Sequence, residues 1–578
     1  MITLDRLNAA SVPDFVAALG GIFEHSPWIA ERAASARPFD SRVQLLDAMC
    51  AIIASASHEE QLKLIRAHPE LAGKAAIRNE LTVESGKEQT GAGLDACTQA
   101  EFAQLHELNQ AYGRRFGFPF ILAVRGHDPA SIIRSFEQRI GNDVAAEQQV
   151  ALHQIGRIGG FRLADAVATP AGAEIMAMID KLARHSESSD NLTCSYLSPA
   201  HQAAAGQIRE WMLAAGISVE IDAVGNVVGR MRCGRPDAKT LITGSHYDTV
   251  INAGRYDGRL GIVLPIVCAL QLRQSGRQLV FDLEIIAFAD EEGVRYKSTF
   301  LGSSAVAGSF DLALLDNIDA AGISIRDALR SAGFDPETIP KLARDPQQLL
   351  GFAEVHIEQG PLLLNENLPL GVVTAIAGSV RYSVSITGLA GHAGTVPMNL
   401  RRDAAAAAAE IVLAVERHCT GTPGLVGTVG KMTVPNGAIN VIPGQCELTI
   451  DLRAGEDSVR DAALNKVLSE IESVAARRQV QVESRKMMAA SAAPCSPGMQ
   501  QRLARSICRV TGTAAARHLP SGAGHDAMKM ASVTDIGMLF VRCGNDGISH
   551  HPAESMTADD ADLAARVFID FLLTCQDP

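Results

Sequence analysis

The residues best suited to chemistry are a dispersed set of His, Asp and Glu side chains in the second half of the chain. Gly244-Ser245-His246-Tyr247-Asp248-Thr249 closes a short apolar run. In extended backbone, residues two apart face the same side, so Asp248 is placed to accept a hydrogen bond from the His246 ring. A carboxylate in that position fixes the tautomer of a metal-holding imidazole. Asp257 follows in Gly254-Arg255-Tyr256-Asp257-Gly258-Arg259-Leu260-Gly261, where a loop opens a helix. The next apolar run ends in Ala289-Asp290-Glu291-Glu292-Gly293. Adjacent carboxylates on an irregular strand end point in different directions, leaving one for a cation and one for protons. His356 stands in Glu354-Val355-His356-Ile357-Glu358-Gln359-Gly360, and His550 in Gly547-Ile548-Ser549-His550-His551-Pro552-Ala553-Glu554. Singly, each is an ordinary surface or core residue. Jointly they form the donor set of a two-cation site in which an Asp bridges the ions.

Such groups need elements to hold them. At 578 residues the chain exceeds one hydrophobic core. Before residue 167 helical periodicity dominates: Val43, Leu46, Met49 and Ile52 share a face, as do Phe102, Leu105, Leu108 and Tyr112. Asp143 to Ala166 reads as a last amphipathic helix, with Val150, Ile155 and Ile158 on its apolar side. Residues 167–172, Val-Ala-Thr-Pro-Ala-Gly, read as a linker, with a new helix from about Ala173. Beyond it the texture is α/β. Thr240 to Thr243 and Leu279 to Phe288 read as buried parallel strands flanking a helix over Leu260 to Leu272. The polar clusters sit at strand carboxyl ends, where such folds collect catalytic groups. Residues 376–490 carry a third texture: a strand at Tyr382 to Thr387, an Ala-rich helix from Asp403 to Arg417, a strand at Glu447 to Arg453 and a helix from Ser458 to Arg477. That order predicts a small α+β sandwich inserted into the larger domain, which spans 173–375 and resumes at 491–578.

Composition narrows the class. The net charge of −13, with no basic stripe, argues against nucleic-acid binding. No apolar stretch is long enough for a bilayer span, and the N-terminus has no signal-peptide pattern. The 11 cysteines form no C-x-x-C pair and read as reduced thiols of a cytoplasmic protein.

His246-Tyr247-Asp248, Tyr256-Asp257-Gly258, Glu291-Glu292-Gly293, His356-Ile357-Glu358-Gln359-Gly360, Gly391-His392-Ala393-Gly394 and Ser549-His550 resemble, in order and spacing, the M20-type metallo-amidohydrolases. The branch containing allantoate amidohydrolases, N-carbamoyl-amino-acid hydrolases and β-ureidopropionases is the most similar. The resemblance implies an α/β metallohydrolase with an inserted ferredoxin-like lid and two divalent ions, zinc or manganese. Asp257 would bridge them, with His246, Glu292, His356 and His550 as the other ligands. Glu291 would be the general base, and Asp248 would orient a ligand. His392 would stabilise the oxyanion from the inserted domain of a neighbouring subunit, making the protein a homodimer. Arg381, Asn440 and Arg453 match positions that hold the substrate carboxylate, Gln359 the ureido group, and His525 lines the pocket. An arginine fork suits a carboxylate through two parallel hydrogen bonds.

The first 166 residues carry Ala67-His68-Pro69-Glu70-Leu71-Ala72-Gly73, Ser85-Gly86-Lys87-Glu88-Gln89 and Phe116-Gly117-Phe118-Pro119-Phe120-Ile121. His68 precedes a proline and so reads as a helix end or loop, and Glu88 and Gln89 read as loop residues. A small helical packing module is what these features indicate unaided. The set resembles the decarboxylases of 2-oxo-4-hydroxy-4-carboxy-5-ureidoimidazoline (OHCU), an all-helical, cofactor-free family yielding S-allantoin. The resemblance implies that His68 is the acid/base and that Glu88 and Gln89 orient the substrate. Pro69, Ser85 and the backbone of Ile121, Ala123 and Arg125 would contact it, and Arg162 would pair with the departing carboxylate. Gly159-Gly160 just before Arg162 is unusual for a helix interior.

Fusing an allantoin-forming unit to a ureido-acid hydrolase favours allantoate as the second substrate. An N-carbamoyl-amino-acid hydrolase is the alternative enzyme. A half serving only as scaffold or binding module is the non-enzymatic one. The expected partners are small ureido molecules, without nucleic acid or membrane.

Overall fold

The computed structural model describes residues 1–72 and 82–575. Gly73, which closes the His68 motif, lies outside the described residues.

The N-terminal region is helical, around a core that includes Phe15, Leu45, Met49, Tyr112, Phe136 and Ile155. Helix Arg42–Ser55 buries Leu45, Met49 and Ile53 in that core. The face expected from periodicity is rotated, because Val43 is half-buried against the core of the second half instead. This helix has two partners, and periodicity averages over both. Of the second predicted stripe, Leu105 and Tyr112 are buried while Phe102 is 36% exposed. Helix Val144–Ala166 is capped by Asp143 and runs unbroken through its glycines. A Cβ at Gly159 would lie 2.7 Å from the Phe23 ring, and one at Gly160 would lie 3.1 Å from Leu46. Each glycine costs roughly 1 kcal/mol of helix propensity, and close packing offsets it.

Two local expectations change. Residues Val83–Gly91 form a helix capped by the Thr82 hydroxyl, so Glu88 and Gln89 are helical and not in a loop. The stretch 167–172 is ordered into both halves. Val167–Ala168 pairs in parallel with Ile2–Thr3, and a helix already begins at Ala171. A Cβ on Gly172 would fall 1.9 Å from the Ala558 carbonyl oxygen, so glycine is there for close approach. Ion pairs dock the two halves. Arg42 and Glu174 pair at 3.2 Å with side chains 8% and 5% exposed, Lys181 meets Asp47 at 2.7 Å, and Asp165 meets Arg273 at 2.7 Å.

The second half is built on a mixed sheet. Its centre is four parallel strands in the order Ile536–Val541, Leu349–Ile357, Thr240–His246 and Asp282–Phe288. These strands are buried on both faces, which is why their sequences are continuous apolar runs. Helix Leu260–Gln274 packs on the sheet and on the C-terminal helix Ala558–Thr574. Inserted after Leu370–Ile376 is a separate four-stranded antiparallel sheet. Its strand order is Leu425–Thr433, Gln445–Ala454, Gly378–Thr387, Gln481–Ala490. Helices Ala404–Thr420 and Asp457–Arg478 pack against this sheet and share its own core. Among the described residues, no helix is long and apolar enough to cross a membrane.

Candidate metal centre and a buried acid–base pocket

His246 is the last residue of its strand, Asp290 to Glu292 follow the neighbouring strand, and His356 is next to last on the third. Parallel pairing therefore brings these groups to one edge of the sheet, and the Gly254–Gly261 loop and the His550 loop close over it. Asp257 stands at the centre. Its Oδ1 lies 3.2 Å from His356 Nε2 and 3.5 Å from His246 Nε2. Its Oδ2 lies 3.1 Å from His550 Nε2, which is 3.5 Å from Glu292 Oε1. Four groups of donors converge there, and two of them share one carboxylate: His246, Asp257 and His356, then Asp257, Glu292 and His550; the others are Glu354, His356 and His525, and His246, Glu291 and Glu292.

The histidines are oriented from behind. His356 Nδ1 donates to the Ile357 carbonyl at 2.9 Å, and His246 Nδ1 donates to the Asp248 carbonyl at 3.2 Å. With Nδ1 donating to a carbonyl, each ring turns its Nε2 toward Asp257 Oδ1. A proton on Nε2 bridges ring and carboxylate there, and a cation would take that proton's place. The donor set therefore fits metal ions, by nitrogen and oxygen type and by convergence. Asp248 departs from the role read from spacing. Its carboxylate lies 3.6 Å from the ring Nδ1 and instead accepts the backbone N–H groups of Glu291 and Glu292 at 3.0 and 3.1 Å. It orients the two glutamates as much as the histidine.

Electrostatics follow from burial and crowding. Burial, with neighbouring carboxylates, pushes Glu291 well above the usual carboxylate range. Burial likewise lifts Glu292 to about 7. Asp257 is held well below its ordinary value: burial opposes this, and hydrogen bonds from His246, His356 and His550 outweigh it. The Asp257 contact lifts His550 to about 9. Burial drives His525 well below 6.5, so its imidazole is neutral. It shares a 2.7 Å hydrogen bond with the Ser521 hydroxyl and meets the His356 ring edge-on at 4.5 Å. Gln359 donates to Asp257 Oδ2 at 2.8 Å, leaving its carbonyl oxygen buried and without a partner.

The remaining expected residues lie apart. Arg381 and Arg453 of the inserted unit both pair with Asp451, at 2.9 and 3.1 Å. Arg453 also donates to the Gly522 carbonyl at 2.8 Å, which ties the inserted unit to the His525 loop. These residues line a cleft of about 560 Å³. His392 and Asn440 are exposed, and the Asn440 carbonyl accepts the Ala393 N–H at 3.0 Å. Within one chain His392 makes no contact with the Asp257 cluster among those the structure shows.

The N-terminal pocket gathers His68, Pro69, Ser85, Glu88, Gln89, Ile121 and Arg162. His68 Nδ1 donates to the Leu64 carbonyl at 3.0 Å, while Nε2 is buried and unpartnered. Burial lowers its pKa to about 4. Arg162 forks onto Glu88 at 2.9 and 3.0 Å, and also donates to Glu24 at 2.9 Å and the Ser85 hydroxyl at 3.2 Å. Gln89 accepts the Ala72 N–H at 3.0 Å. Two expected contacts are not brought here. Neither Ala123 nor Arg125 is among the residues lining the pocket: the Ala123 N–H is taken by Gln154 at 3.0 Å, and the Arg125 side chain pairs with Asp165 at 2.7 Å. Sequence reasoning missed Glu24, which has no local signature. It also missed Glu354, a buried acid holding Ser245 at 2.7 Å and the Ala527 N–H at 3.1 Å, and Glu554, whose only signal is an acid placed soon after His550.

Fold and site define a two-unit enzyme: a helical module with a buried polar pocket, joined to an α/β hydrolase with a candidate dinuclear centre. Residues 242–574 match the model of Peptidase family M20/M25/M40, and the chain belongs to that family. Residues 8–164 match the family described as OHCU decarboxylase. The allantoate deiminase of Arabidopsis thaliana is 40% identical over 428 residues, covering 69% of this chain and 81% of that protein. The N-carbamoyl-L-amino acid amidohydrolase of Geobacillus stearothermophilus is 39% identical over 360 residues, covering 62% of this chain and 87% of that protein. A hydantoinase/carbamoylase-family amidase from Burkholderia multivorans superposes with a TM-score of 0.66 at 30% identity, covering 70% of this chain and 97% of that one.

Proposed function

We propose that the chain performs two steps of urate breakdown: decarboxylation of OHCU to S-allantoin by residues 1–166, and hydrolysis of allantoate to ureidoglycine, carbon dioxide and ammonia by the remainder. The observation that carries the second activity is Asp257, whose two oxygens face two separate nitrogen and carboxylate donor sets. Two divalent cations, zinc or manganese, suit those donors. Bound there, such ions supply Lewis acidity and a water that ionises near neutral pH.

The chain's own groups do the rest. Glu291, held by the Asp248 clamp on its backbone, takes a proton from the attacking water and delivers it to the leaving nitrogen. Gln359 presents its unpartnered carbonyl oxygen to the ureido N–H groups. Arg381 and Arg453 hold the substrate carboxylate after exchanging part of their pairing with Asp451. His392 completes the site from a second copy of the chain, through the inserted unit, which is ferredoxin-like in its strand order. Its exposure supports this, as does that of Leu389, Met398 and Ile439, at 60%, 77% and 104%. In the N-terminal half, Arg162 pairs with the departing carboxylate, while Glu88 and Gln89 orient the ring and ureido groups. His68 Nε2, free and desolvated, handles the proton that sets the stereocentre.

Hydrolysis of N-carbamoyl amino acids is the second reading, favoured by the 39% identical amidohydrolase. Chelated protein given back single metals, then allantoate or N-carbamoyl amino acids with ammonia as readout, separates the two. Loss of accelerated allantoin formation in His68→Ala is expected for the first half. An unchanged rate defeats that assignment.

A further inference from the structure

Resting on the two-cation reading, we propose that Glu554 is a positioning residue that sets the separation of the two cation sites by strapping the Asp257 loop to the His550 loop. Its carboxylate bonds to the backbone around the ligands and to Ser549, and to no donor atom of either set among the described hydrogen bonds. Glu554 is 5% exposed, and its Oε1 accepts the backbone N–H groups of Tyr256 and Asp257 at 2.7 and 3.2 Å. Its Oε2 accepts the Ser549 hydroxyl at 2.7 Å, and the same hydroxyl oxygen lies 3.1 Å from Asp257 Oδ2. One carboxylate therefore grips the backbone of the shared ligand and the residue preceding His550.

Three features show why this grip is needed. His550 is the least enclosed ligand, with a side chain 49% exposed, so packing does not fix it. Its backbone is left-handed, at φ 54°, a conformation that costs energy for a residue with a Cβ and persists only when its surroundings impose it. The loop also closes on itself, through Asn545 to the Ala553 carbonyl at 2.6 Å and Gly544 N–H to the Ser555 carbonyl at 2.7 Å. Glu554 is thereby presented from a firm base. On the opposite side, Gly254 makes room: a Cβ there would sit 2.2 Å from Glu554 Oε1. His246 and His356, by contrast, are buried and anchored to backbone carbonyls, so their ion does not depend on this strap.

Outer partners of metal ligands typically alter affinity about 10–100-fold. Metal-free full-length protein is titrated with Mn²⁺, counting bound ions by electron paramagnetic resonance, which also distinguishes coupled pairs from isolated ions. Wild type is expected to take two ions and show the coupled signal. Glu554→Ala should keep the first ion and bind the second about 10–100-fold more weakly, losing the coupling. Glu554→Gln keeps an acceptor for both N–H groups and should recover most of the affinity. Ser549→Ala, which removes one arm, should fall between. If Glu554→Ala does not fold, Ser549→Ala decides. Two ions bound by wild type with unchanged affinity in the folded variant overturn the strap and leave the metal centre standing. Fewer than two ions bound by wild type overturn the two-cation reading, and the strap with it.

Discussion

Replacing Arg162 with Met should destabilise the N-terminal half more than its position near a helix end suggests. The guanidinium and its partner Glu24 have side chains 5% and 2% exposed, and among the described residues Glu24 is otherwise held by the hydroxyls of Thr82 and Ser85. Burial alone raises the Glu24 pKa, and hydrogen bonds from Thr82 and Arg162 with the Arg162 charge bring it below 4.5. Removing one member of a buried ion pair costs about 3–5 kcal/mol, because the remaining charge has no counterion. With a urea dependence of about 1–3 kcal/mol per molar, the midpoint of this unit falls by at least about 1 M. Urea unfolding followed by hydrogen exchange of amides in residues 83–166 isolates the unit from the rest. The sign with pH is diagnostic. In wild type, the lowered Glu24 pKa contributes stability that is present above its unfolded value and is lost as pH falls through the folded one. In the variant the unpaired acid should titrate above 4.5, so acidification from pH 7 should recover stability. The double variant Arg162→Met/Glu24→Gln removes the two most buried charges, leaving the more exposed Glu88, and should restore most of the loss. A single-variant loss below about 1 kcal/mol, or no recovery in the double variant, refutes the reasoning.

Other outcomes follow from the same geometry. Glu291→Gln should retain both ions while ammonia release from the ureido substrate drops about 10²–10⁴-fold; normal turnover would remove it as the base. The His68 imidazole should titrate near pH 4 in the folded protein by NMR. Because the unfolded value is higher, this group's contribution to stability rises with pH between about 4 and 6.5 and is flat above. A measured value above 6 contradicts its burial. Gly172→Ala should destabilise the chain by at least about 1–3 kcal/mol, since its Cβ meets a backbone carbonyl that cannot swing away. A change within about 0.5 kcal/mol by thermal unfolding would show that the helix pair Ala171–Leu182 and Ala558–Thr574 is loosely packed.

What the sequence discloses is set by how local the physics is. His246, Glu292 and His356 end apolar runs, and parallel pairing alone makes strand ends neighbours, so their convergence is readable without coordinates. His550 is readable only as a motif, because its approach depends on a loop closed by Asn545 and Glu554. The stripe on helix Arg42–Ser55 misleads because a second body covers Val43. Glu88 and Gln89 look like loop residues after Gly86, yet the Thr82 cap and pairing of Glu88 with Arg162, 74 positions away, favour a helix. The backbone around Ala123 reads from its motif as a substrate contact, but Gln154, 31 positions on, takes the Ala123 N–H. Glu24 is invisible in one dimension. Nothing beside it signals that helix Val144–Ala166 will deliver a guanidinium to it.

The central claim is that one aspartate divides two cations, and anomalous diffraction from crystals of the protein loaded with Mn²⁺ tests it most directly. Two peaks about 3.5–4 Å apart are predicted, one bounded by Asp257 Oδ1, His246 and His356, the other by Asp257 Oδ2, Glu292 and His550. A single peak, or peaks that leave Asp257 uncoordinated, would contradict the account.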